Sequence, residues 1–136
     1  MKRDLTDEEI KKGITETDPY RLTFDANSYR ARPLTGIWAS APYLHNGSIR
    51  TLYDLLTPPL DEDGNCQDKD DRCRPTSFQV GSIDFDPIYV GFKDEVGPNT
   101  SLLDTQMPGN SNTGHEFMTD LSHEERMALI EYLKTL

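Results

Sequence analysis

The stretch "GIWASAPYLHNGSIRTLYDLL", residues 36–56, decides how this chain folds. It sets Trp38, Pro42, Tyr43 and His45 in apolar surroundings, just ahead of Asn46-Gly47. Proline presets its own φ and Asn-Gly tolerates left-handed backbone, so a tight turn is specified around His45. In the second half, Ile49, Leu52, Leu55 and Leu56 fall on one face of a short helix predicted over Arg50–Leu56, with Ser48 placed to cap it. Thr57-Pro58-Pro59 ends that helix, because proline disfavours α backbone in the residue before it. An apolar turn followed by a one-sided helix needs a cover, and the rest of the chain must supply one.

The chain has 136 residues, which predicts a single domain over 1–136, with residues 60–76 as an acidic loop insertion. Hydrophobic content is 35%, mean hydropathy is −0.69, and there are nine Pro and nine Gly. Such a chain has long irregular connections and leans on a cofactor, a metal, a disulfide or a partner for stability. The net charge of −10 disfavours nucleic acid and anionic membrane as partners and is compatible with a basic protein partner. No run approaches the roughly 18 apolar residues of a membrane span. The opening "MKRDLTDEEIKK" has charge where a secretory signal would have its apolar core.

Thr6 and Glu9 form a capping box that opens a short helix to about Ile14, and residues 15–35 read as extended or irregular. Residues 60–74 are predicted to be an exposed acidic loop. In "SFQVGSIDFDPIYVGF", residues 77–92, Phe78 and Val80 alternate, as do Ile88, Val90 and Phe92, giving two short strands or extended arms. Residues 93–114 read as a long loop, of a length that is usually functional or disordered. The closing helix is the clearest element: Ser122 and Glu125 make a capping box, and Leu121, Met127, Leu129, Ile130, Leu133 and Leu136 make an apolar stripe.

Cys66 and Cys73 are separated by six residues in "NCQDKDDRC", and a disulfide is the better reading over free thiols. Two Cys without a nearby His are a poor metal site. The run "DEDGN", residues 61–65, places Gly fourth where an EF-hand loop needs it sixth. Three histidines remain. His123 reads as a solvated residue beside the helix cap. His45 reads either as a buried residue locking its turn through a backbone carbonyl, or as a site wall facing a flat aromatic ligand together with Tyr43 and Trp38. His115, in "GNSNTGHEF", follows small residues that let an imidazole reach a metal, and a fixed loop histidine is the equal alternative. No Ser-His-Asp or Cys-His set and no phosphate cradle is legible.

The motif "RARPLTGIWASAPYLHNGSIRTLYDLL" resembles the C-terminal haem domain of bacterial di-haem c-type cytochromes of the cytochrome c peroxidase group, and more closely their rubber-oxygenase-like relatives. "RPTSFQVGSIDFDPIYVGF", "GNSNTGHEF" and "LSHEERMALIEYLKTL" follow in the order those relatives have, so the resemblance runs from about Tyr29 onward. It implies a mainly α fold, a partial cytochrome-c-like domain with long irregular loops and two short strands.

The resemblance further implies haem near the Ala41–Ser48 turn, with His45, Trp38 and Tyr43 as cofactor contacts or parts of an electron path. Arg30 or Arg32 would take a propionate. Backbone carbonyls at Ser40 and Pro42 match those that help hold an interdomain calcium in the peroxidases. The Cys-x-x-Cys-His attachment motif is absent here, and no Met lies in the helix after the His-Asn-Gly turn. In the rubber-oxygenase-like branch the distal ligand is a His from far downstream, which makes His115 the expected distal iron ligand, with Met107 and Met118 as rivals. Bis-histidine iron is coordinatively saturated and suits electron transfer within an oxidoreductase, and because the resemblance places the active haem in the other domain, no catalytic residue is assigned. The expected partners are a haem-bearing N-terminal half or partner chain and a redox partner protein, in the periplasm. The other class of reading is a haem-free structural or interaction domain.

Overall fold

The computed structural model describes residues 33–136, all but the first of which fall in the unit Leu34–Leu136. The capping box at Thr6 and Glu9, the run 15–32, Arg30 and Arg32 lie outside the described residues.

The described residues are not mainly α. They form two helices, α1 (Leu52–Leu55) and α2 (His123–Leu133), a 3-10 turn at Ile37–Ala39, and four short strands. The strands are β1 (Ser77–Val80), β2 (Phe85–Asp86), β3 (Gly91–Phe92) and β4 (Ser101–Asp104). β1 pairs antiparallel with β4, in the register Phe78↔Leu103. β2 pairs antiparallel with β3, Phe85 opposite Phe92. The expected mainly α class fails because glycine, proline and acidic side chains interrupt the chain between residues 57 and 122. Loop amides there are satisfied by side chains instead of by helix: Asp61 accepts from the Asp63 and Asn65 amides, and Asp86 from those of Ile88 and Tyr89. The loop expected over 93–114 also contains β4.

Residues 36–56 are the centre of the core. Tyr43, Ile49, Leu52, Tyr53 and Leu56 bury together with Val90 and with Ile130 and Leu133 of α2. Tyr43 and Ile49 pair across the His45 turn as an isolated bridge. α1 begins later than expected, at Leu52, because Thr51 is the residue whose side chain accepts the Asp54 amide. Ser48 is used elsewhere. Leu52 N–H donates to Val90 O at 2.9 Å, which docks the helix start on the β2–β3 hairpin. That approach leaves no room for a side chain at position 91: a Cβ on Gly91 would lie 2.2 Å from Arg50 O. At the other end of the chain, both halves of the Ser122–Glu125 capping box are present.

Candidate functional site

The His45 turn is held by its neighbours. Asn46 Oδ1 accepts the Ser48 amide, while Asn46 Nδ2 donates to Gly109 O at 3.1 Å and Ser111 O at 2.9 Å. The Ser48 hydroxyl donates to Ser111 O at 3.0 Å. The turn is therefore clamped to the loop that leads to His115. His45 itself is exposed, so the buried, turn-locking reading of that residue gives way to Asn46, whose amide has the donors and acceptor the job needs. Tyr43 lies in the core, with its hydroxyl donating to Ile37 O at 3.2 Å and Val90 O at 3.4 Å. Burial pushes its phenol up to about 12. Trp38, on the 3-10 turn, is exposed, as are Ser40 and Pro42, the latter joined to Ala41 by a cis peptide.

Arg74 joins the other side of that loop to α1. Its guanidinium donates to Asp54 O, Leu55 O and Thr57 O at the end of α1, and to Asn112 O, Gly114 O and His115 O. Burial lowers its pKa, and the carboxylates of Glu116 and Asp54 oppose that shift. Asn112 Nδ2 adds a bond to Pro75 O at 3.0 Å. His115 is half-buried with φ 58°, its ring centroid 6.3 Å from that of Phe117. Phe117 is 73% exposed, and both Met107 and Met118 are 57% exposed.

The acidic loop is only partly the exposed segment that the sequence predicts. The disulfide Cys66–Cys73 is present, and between its ends Asp68, Asp70 and Arg72 each contact the rest of the fold, with Asp68 drawn furthest inward. Asp68 meets the fully buried Arg126 with both carboxylate oxygens. Hydrogen bonding from Arg126 holds the Asp68 carboxyl below its ordinary value against the opposing effect of burial. Asp70 accepts the His123 amide at 2.7 Å. Arg72 lies over the Tyr53 ring, 5.8 Å from its centroid. His123 is not simply solvated: its Nδ1 shares a 2.8 Å hydrogen bond with the Tyr53 hydroxyl.

Sequence reasoning placed Asn46 in the turn but missed its clamp on the loop at Gly109 and Ser111, and it missed Arg74, Asp68 and Arg126. One signal was available, since Arg126 shares the α2 face of Ile130 and Leu133 at helical spacing. For Arg74 there was none, because its acceptors are backbone carbonyls up to 41 residues away in sequence.

The fit of a haem divides in two. An imidazole on a pinned loop, beside exposed Phe117, would suit ligation next to a flat apolar group. A cavity of about 430 Å³ includes Leu60, Arg74 and Met107 in its wall, and one of about 580 Å³ includes Pro58, Asp61 and Glu116. Neither has a histidine in its wall. Among the described residues, no three or more His, Cys, Asp or Glu converge as a metal cluster.

Comparison with known proteins agrees with the cytochrome-like pattern. Residues 28–62 match the family described as RoxA-like, cytochrome c-like, so this part of the chain is similar to a cytochrome c-like region. The chain is 40% identical over 118 residues to "Uncharacterized protein y4iJ" of Sinorhizobium fredii (strain NBRC 101917 / NGR234), covering 80% of this chain and 18% of that protein. It is 33% identical over 137 residues to "Uncharacterized protein y4iM" of the same strain, covering 85% of this chain and 29% of that protein. The chain thus spans less than a third of either relative's length. No solved structure matches it. No described helix is long and apolar enough to cross a membrane.

Proposed function

We propose that this chain is the distal side of a haem site in a longer, periplasmic cytochrome c-like oxidoreductase of the di-haem peroxidase and rubber-oxygenase-like group, serving electron transfer. The haem supplies one-electron chemistry at its iron. His115 supplies the distal ligand, exposed Trp38 an edge for electron passage, and the Ser40 and Pro42 carbonyls a place for calcium between domains. The haem-bearing half comes from other parts of the polypeptide or from a partner chain.

The observation that carries this reading is the attachment of the His115 loop to the cytochrome c-like region itself. Asn46 and Ser48, both within residues 28–62, bond the backbone of Gly109 and Ser111. The candidate ligand and residues 34–62 of the family match therefore belong to one structural unit.

The test is an absorption spectrum of the chain mixed with ferric haem, wild type beside His115→Ala, with and without the upstream haem-bearing segment. A low-spin spectrum in wild type that is lost or turned high-spin in the variant supports the proposal. Identical low-spin spectra in both would move the ligand role from His115 to Met107 or Met118, and a haem spectrum unchanged by adding the chain, with the upstream segment present, would leave the haem-free interaction domain as the better reading.

A further inference from the structure

We propose that Arg74 is the positioning residue for the His115 imidazole, a role that rests on the haem-ligand reading above. The Arg74 residue is 2% exposed, and its six hydrogen-bond acceptors are all backbone carbonyls. Three close the end of α1 and three belong to the loop that reaches His115. A guanidinium is a planar fork with five donors, so one side chain spans both sets and fixes their relative plane. An ammonium is a point charge with three donors and cannot do both.

The His115 backbone needs such a hold. At φ 58° it sits in the left-handed region, which costs a non-glycine residue energy and persists only where its surroundings over-determine it. Arg74 bonds the carbonyl of that same residue at 2.9 Å, and those of Gly114 and Asn112 before it. Arg74 is itself fixed, since its amide donates to Pro58 O at 2.9 Å and Cys73 beside it is in the disulfide. The buried charge thus orders the ligand loop against the cytochrome c-like region instead of neutralising a carboxylate.

The test compares the full chain with Arg74→Lys and with Arg74→Ala, the latter with and without added guanidinium ion. Three signals are read: amide exchange of residues 112–116 against that of α2, the C2–H proton resonance of His115, and the absorption spectrum with ferric haem. Both variants should exchange residues 112–116 faster by about tenfold or more, while α2 stays protected and melting stays cooperative. The His115 resonance should shift, the low-spin haem spectrum should weaken, and guanidinium should partly restore Arg74→Ala. Unchanged loop exchange and an unchanged His115 resonance in Arg74→Lys would overturn the assignment. So would loss of α2 protection in step with the loop in both variants, which would make Arg74 a residue of the whole fold. If wild type shows no His115-dependent haem spectrum but the exchange and resonance changes occur, the haem reading fails and the positioning role stands.

Discussion

Arg126 keeps its charge in the core because Asp68 meets it with two oxygens and Thr119 O accepts a third bond at 2.9 Å. Removing one partner of such a pair leaves the other charge buried and uncompensated, so Asp68→Asn should cost about 3 kcal/mol or more in urea unfolding at neutral pH. The pair also sets an acid limit. Because the folded Asp68 carboxyl lies below its ordinary value of 3.8, its contribution is complete above that value and is lost as pH falls through the lower one. Wild type should therefore lose stability steeply in acid while Asp68→Asn loses less. Parallel acid limbs in the two proteins would show that Asp68 is not the controlling group.

The disulfide-closed segment is the element that joins the others. Within residues 66–74, Asp68 reaches Arg126, Asp70 bonds the first amide of α2, Arg72 covers Tyr53, and Arg74 holds the ends of α1 and of the His115 loop. Between Asp68 and Arg72 the backbone turns, with the Asp71 amide donating to Asp68 O at 3.2 Å and Asp71 at φ 53°, so a short closed loop presents these side chains to different parts of the fold. Replacing both Cys66 and Cys73 by serine should lower stability by about 2–3 kcal/mol on the chain-entropy view of so small a loop. It should also speed amide exchange at residues 112–115 in particular, since Arg74 adjoins Cys73. A stability loss without faster exchange there would separate the disulfide from the His115 loop.

At the scale of the molecule, contacts between residues far apart in sequence close the core of residues 34–136. Gly36 N–H donates to Leu136 O at 3.2 Å, and Val90, far from either in sequence, closes the core over Leu52 and Tyr43. These residues should unfold as one cooperative unit. The fluorescence of Trp38, the single tryptophan, and the far-ultraviolet signal of α2 should give coincident thermal transitions. Separate midpoints would show that the 3-10 turn and α2 belong to different cooperative units. The net charge of −10 is spread mainly over exposed loops and bears on solubility and partner choice more than on this core.

Sequence alone determined the features written in neighbouring residues. The α2 capping box, the apolar faces of residues 36–56 and of α2, the short-range disulfide and the turn at Asn46-Gly47 all depend on spacings of a few residues, where chain geometry leaves little choice. The tertiary structure decided what distant residues do to one another. It made Thr51 and not Ser48 the cap, because Ser48 bonds the loop at Ser111. It turned part of an acidic loop inward, gave His45 to solvent, paired His123 with Tyr53, and brought Arg74 onto His115. Each of these depends on which backbone carbonyl or buried charge lies opposite across space. No local pattern encodes that, because a carbonyl is present at every residue and only the fold selects which ones converge.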